Sequence, residues 1–200
     1  MTPIEWAATV FGLACVILTI RQSIWCWPTG LLQVALYTFV FFEAKLYSDV
    51  VLHVIYVGMQ IYGWWAWLHG GKGDSPLAVA RLPAARLAFW AGAGLLGTLA
   101  VGAAMHWYTD ASRPVWDASV LALSLIAQWL MARKVLESWL FWVAVDVSAI
   151  GLYFVKGLYP TTGLYAVSLV LAIVGFFEWQ RTLPKPIPSP TAPMEGHPQG

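Results

Sequence analysis

Charge is scarce in this chain of 200 residues. Only 10% are Asp, Glu, Lys or Arg, and the formal net charge is +1. A soluble domain carries about 25% charged residues, so an ordinary water-facing surface is excluded over most of the length. The near-neutral balance also leaves no basic footprint for nucleic acid. Cysteine is almost missing. Cys15 and Cys26 stand eleven positions apart. On one continuous helix that is about 16 Å of rise, beyond disulfide reach, so both read as small residues of an apolar core. His53, His69, His106 and His197 are scattered and form no HExxH or Cys–His pattern, so neither a metal nor a cofactor is expected. "GGKGD" from Gly70 lacks phosphate-loop spacing and reads as a turn. No constellation offers both a base and a nucleophile, so an enzyme is not expected. "MTPIEW" has no basic n-region, so the first apolar stretch is expected to be a permanent helix rather than a cleaved signal.

What the chain has is apolar length. Sixty per cent of it is hydrophobic, in seven runs: Ile4–Ile20, Trp25–Phe42, Val50–Leu68, Leu87–Met105, Val115–Met131, Trp139–Val155 and Tyr159–Trp179. Each approaches the ~20 residues that cross about 30 Å of hydrocarbon. The runs are continuous rather than alternating, which favours helices over barrel strands. The expectation is an all-α membrane protein of seven transmembrane helices. The basic residues sort by side. Arg21, Lys72, Arg81, Arg86, Arg133, Lys134, Arg181 and Lys185 fall on one side; Lys45, Arg113 and Lys156 fall on the other. The positive-inside rule puts the richer side in the cytoplasm, the N-terminus outside and the C-terminus inside. The segment 184–200 holds six of the twelve prolines and reads as a disordered cytoplasmic tail.

Shifted by 112 residues, the chain partly overlays itself. Glu5 meets Asp117, Arg21 meets Arg133, Trp27 meets Trp139, and Leu46–Tyr47 meets Leu158–Tyr159. "GWWAW" from Gly63 meets "GFFEW" from Gly175. Helices one to three would then match five to seven, with a fourth restoring the direction. That is a 3+1+3 parallel repeat, the arrangement of a full SWEET-like fold. The expected divisions are 1–69, a first three-helix bundle; 70–110, a loop and linker helix; 111–183, a second bundle; and the tail. A substrate site is expected between the bundles near the midplane.

Polar groups inside a membrane are costly and become site candidates. Trp139, Trp142, Asp146 and Tyr153 are spaced by three, four and seven and share one helical face. A carboxylate among aromatic rings suits a ligand with a planar ring and hydroxyls or a positive charge. The competing reading pairs Asp146 with a neighbouring helix and makes the tryptophans interface-belt residues. His53, Tyr56, Gln60, Trp64 and Trp67 form a second face. Gln60 there either reads an amide or hydroxyl on a ligand or bonds a neighbouring helix. Trp65 points elsewhere and reads as an interface-belt or lipid-facing residue. Gln33, with Tyr37 one turn on, is either site or packing. Asp117 and Gln128 are weaker candidates, with Asp117 expected to cap its helix or pair with Arg113. Glu5 and Glu178 are expected to be solvated or paired.

"IYGWWAW", "WDASVLALSLIAQWLMARK" and "ESWLFWVAVD" resemble the PnuC family of bacterial vitamin transporters. Trp139, Trp142 and Asp146 meet that family's WxxWxxx[N/D] motif after Arg133, Lys134 and Glu137. The resemblance implies uptake of nicotinamide riboside across a bacterial inner membrane by facilitated diffusion. It also implies a homotrimer and metabolic trapping by a cytoplasmic kinase. Asp146 would meet the ligand's charge or ribose; Trp142, Trp64 and Trp139 would stack on the pyridinium; Gln60 and Gln33 would bond the carboxamide or ribose. Related branches carry thiamine, riboflavin or deoxynucleosides, and thiamine is also a cationic ring. A ligand-sensing or assembly protein that moves nothing is the alternative from another class.

Overall fold

The computed structural model describes residues 3–43, 47–109 and 112–183. The tail 184–200, Lys45, Leu46 and the Glu5 side chain lie outside this description. Seven helices follow in order: α1 Pro3–Ile20, α2 Cys26–Glu43, α3 Tyr47–His69, α4 Ala84–Tyr108, α5 Pro114–Ala132, α6 Ser138–Val155 and α7 Tyr159–Arg181. They coincide with the seven apolar runs to within three residues at each end. Four of them, α4 to α7, are long and apolar enough to cross a bilayer, and Trp6–Ile20 is a shorter apolar stretch. In α2 and α3 the polar residues Gln33, His53 and Gln60 dilute the hydrophobicity.

α1 packs on α2, α2 on α3, α3 on α5, α5 on α6, α6 on α7, and α7 returns to α1. Six helices thus close a ring, and α4 lies outside it along α5. Buried Gly94, Thr98 and Gly102 make that approach possible. A Cβ at Gly102 would sit 3.0 Å from the Val115 backbone, so only glycine lets the two backbones come so close.

The 112-residue offset recurs in the geometry of one end of the ring. α1 closes with Gln22 N–H donating to Thr19 O and Ser23 N–H to Leu18 O, both 2.9 Å. α5 closes with Lys134 N–H to Met131 O at 2.9 Å and Val135 N–H to Leu130 O at 3.0 Å. Both are Schellman endings, with left-handed φ of 53° at Gln22 and 55° at Lys134. Trp27 then covers Gly63 on α3, and Trp139 covers Gly175 on α7. An indole fills the space where each glycine leaves no side chain.

The same turns correct one expectation. Cys15 and Cys26 do not share a helix. The reversal after Ile20 brings them together, and the Cys15 thiol donates to Cys26 O at 3.1 Å. Both are free thiols in the apolar packing.

This end of the ring also holds the longer loop, 70–83, against the α5–α6 turn. Ala80 N–H donates to Lys134 O at 3.1 Å, and Leu136 N–H donates to Ala80 O at 2.9 Å. Buried Glu137 accepts from Leu82 N–H at 2.9 Å and pairs with Arg81 at 3.5 Å. The Lys134 ammonium lies 4.5 Å from the Trp67 ring centroid, and burial pulls its pKa below the usual lysine range.

Candidate functional site

The ring encloses a cavity of about 760 Å³, within the size of a small-molecule site. All six ring helices contribute walls. Gln33 of α2, Tyr56 and Gln60 of α3, and Trp139, Trp142, Asp146 and Tyr153 of α6 all line it. The α6 stripe therefore faces inward over its length, as the 3.6-residue period requires.

Asp146 is the centre of this wall. It is 3% exposed. The ion pairs among the described residues are Arg81–Glu137, Lys156–Asp117 and Arg181–Glu178, and none reaches it. Trp142 stands one turn away toward the tryptophan-rich end. On the other side the Tyr153 and Tyr165 rings stack at 5.3 Å and 19°. The Gln60 and Gln33 amides enter through gaps left by glycines. A Cβ at Gly30 would lie 2.5 Å from Gln60 Nε2, and one at Gly12 would lie 2.8 Å from Gln33 Nε2. Tyr56 is tied across the ring, its hydroxyl 2.8 Å from Ser124 Oγ. Tyr56, read as part of the second face, thus makes an interhelical hydrogen bond.

Trp64 is corrected. It lies outside the cavity and is 37% exposed. The inward stripe of α3 runs Tyr56, Gln60, Gly63, Trp67, because Trp27 occupies the space over Gly63. Trp64 is rotated onto the outer face. Trp65, read as lipid-facing, is exposed and stacks on His69. Asp117 is also corrected. Its partner is Lys156 at 2.7 Å, across to α6, while Arg113 sits 5.9 Å over the Trp116 ring. Glu178 pairs with Arg181.

The cavity also takes in Tyr37, Asp117 and Gln128, named above as lesser candidates, and residues that the sequence reading did not name: Ser124 of α5, and Thr161, Tyr165 and Ser168 of α7. The α7 group recurs at spacings of three and four, with Ala172 one turn further, a periodic signal that went unread because serine and threonine are common in apolar helices. Among the described residues no group of three His, Cys, Asp or Glu gathers to hold a metal. Among the described residues two aspartates line the cavity, and no lysine or arginine does. Such a site attracts cations and neutral polar ligands and gives an anionic group no counter-charge.

A solved structure shares this fold. A crystal structure of the vitamin B3 transporter PnuC superposes with a TM-score of 0.71 at 24% identity, covering 90% of this chain and 81% of that one. The nicotinamide riboside transporter PnuC of Escherichia coli is 26% identical over 88% of this chain and 84% of its own. The riboflavin/roseoflavin transporter RibM of Streptomyces davaonensis is also 26% identical, over 88% and 83%. The sequence profile described as nicotinamide mononucleotide transporter matches residues 2–181. With that match and four helices able to cross a bilayer, the chain is a multi-pass membrane protein belonging to the nicotinamide mononucleotide transporter family.

Proposed function

We propose that this protein carries nicotinamide riboside across the bacterial inner membrane. The observation that carries the reading is Asp146: a buried carboxylate one turn from Trp142, with neither an ion-pair partner nor a cavity-lining lysine or arginine among the described residues. A pyridinium cation answers the charge, and indole faces attract it. The amides of Gln60, Gln33 and Gln128 match a carboxamide and ribose hydroxyls in donor and acceptor capacity. A mononucleotide would add a phosphate that finds no counter-charge here, which favours the nucleoside.

The transport cycle follows from the repeat. The recurring turns, glycine contacts and ring neighbours support two co-oriented triplets, 1–69 and 111–183, joined by the linker 70–110 in a SWEET-like 3+1+3 arrangement of seven spans. The basic end takes the cytoplasmic side and the N-terminus the outside. Rocking of the triplets exposes the cavity to each side in turn. Flux is facilitated diffusion, drawn inward by a cytoplasmic kinase, and the assembly is a homotrimer by family resemblance. Calorimetric titration of purified protein with nicotinamide riboside, its mononucleotide, thiamine and riboflavin tests the substrate. The riboside should bind, and Asp146→Ala and Trp142→Ala should abolish binding in folded protein. Thiamine or riboflavin binding with no response to the riboside overturns the reading.

A further inference from the structure

The cavity ends against four buried tryptophans. Trp27, Trp67, Trp139 and Trp179 are each 3% exposed or less. Trp27 and Trp67 meet edge to face at 5.3 Å and 83°, and Trp139 and Trp179 do so at 5.5 Å and 88°. Trp67 and Trp179 join the two pairs at 5.7 Å. The four positions are two residues and their equivalents 112 further on.

Their hydrogen bonds divide them into two kinds. The Trp67 indole N–H, on α3, donates to Met131 O of α5 at 3.2 Å. The Trp179 indole N–H, on α7, donates to Thr19 O of α1 at 3.0 Å. Met131 is the 112-residue equivalent of Thr19, so the two bonds are one bond made twice, each from one triplet to the other. Trp27 and Trp139 instead cover glycines of their own triplets, and their buried N–H groups have no partner among the described residues. Thr19, Met131 and Trp139 also line the cavity, so the cluster is its end wall.

We propose that this cluster is the gate at the basic end, with Trp67 and Trp179 as its two moving leaves. Trp27 and Trp139 are the fixed seats on which the leaves rest. Separating the triplets breaks the Trp67–Trp179 contact and both indole–carbonyl bonds together, because each bond crosses the dividing surface. Every contact within a triplet survives. The Gln22 amide donating to Thr182 Oγ1 at 2.9 Å lies on the same crossing, at the exposed rim.

The gate rests on the transport reading but not on the identity of the ligand, and two experiments separate them. The first reads access without any vitamin. Ser168→Cys on the cavity wall is labelled by an impermeant maleimide from the basic-end side of vesicles, and the peptide is quantified by mass spectrometry. Trp67→Phe or Trp179→Phe removes one bond and keeps a ring, and should speed labelling about 5-fold each and about 25-fold together. Trp27→Phe removes an N–H without a partner among the described residues and should leave the rate unchanged. Equal rates in all variants, or equal acceleration by Trp27→Phe, overturn the gate. The second joins Gln22→Cys to Thr182→Cys with a short reducible bis-methanethiosulfonate. Riboside binding should persist, liposome uptake should fall at least about 20-fold, and reductant should restore it. Undiminished uptake in cross-linked protein overturns the gate, whereas loss of riboside binding before cross-linking overturns the substrate alone.

Discussion

Gly175→Ala tests the packing of the cavity floor. A Cβ built at Gly175 would lie 2.6 Å from both Cζ2 and Cη2 of Trp139 and 2.7 Å from Cε2. Ordinary carbon contacts begin near 3.5 Å, so the indole must retreat by about 1 Å. It cannot do so freely. Trp139 is held edge-on by Trp179 at 5.5 Å, and Trp179 is anchored to Thr19 O at 3.0 Å. Overpacking of this kind costs about 1–3 kcal/mol, or roughly 3–10 °C in Tm for a chain of this length. Thermal unfolding in one detergent, followed by tryptophan fluorescence, reads it. Gly63→Ala should behave alike, because Trp27 lies over Gly63 in the same way. Gly58→Ala is the control: a Cβ there meets nothing within 4 Å, so it should leave Tm unchanged or raised through helix propensity, about 1 kcal/mol at most. Adding Trp139→Phe to Gly175→Ala should make the pair less damaging than the sum, since a smaller ring leaves room. A Gly175→Ala protein as stable as Gly58→Ala, or strict additivity with Trp139→Phe, would refute the close packing on which the gate depends.

Three further outcomes follow from named contacts. Asp146→Asn keeps the shape and removes the charge. At roughly 5 Å and an effective dielectric near 20 that is about 3 kcal/mol, so riboside affinity by calorimetry should fall about 100-fold with Tm held. Gly30→Ala would drive a methyl to 2.5 Å from Gln60 Nε2 and displace that amide; affinity should drop about 10-fold while mononucleotide binding stays absent. Glu137→Ala leaves the Leu82 N–H unpaired beneath the loop 70–83, costing about 1–3 kcal/mol. Limited proteolysis should cut that loop faster, whereas Glu137→Gln keeps an acceptor oxygen and should be cut little faster, because the Arg81 partner is exposed and weak.

The local patterns carried the helices. Each of the seven apolar runs became a helix with nearly unchanged ends, because a run of about twenty largely apolar residues with at most one charge has few other ways to satisfy its backbone in a membrane. The four α6 residues line the cavity together, since residues spaced by three, four and seven stay on one face whatever lies opposite. Trp64 failed for a different reason. Its spacing from Gln60 is as good as that of Gly63, and only the bulk of Trp27 on a neighbouring helix turned α3 so that glycine faced in. Asp117 found Lys156 rather than Arg113 because its nearest cation in space arrives from the end of the next helix.

Periodicity, scarcity of charge and the 112-residue echo are properties of the chain read in one dimension. They were enough to determine an all-helical membrane protein and the inward face of α6. Which indoles bond across the ring, which glycines receive them, and which acid stands unpaired depend on neighbours far along the chain. Those choices were made only when the ring closed, since a helix dictates what lies on each of its faces but not what arrives to cover them.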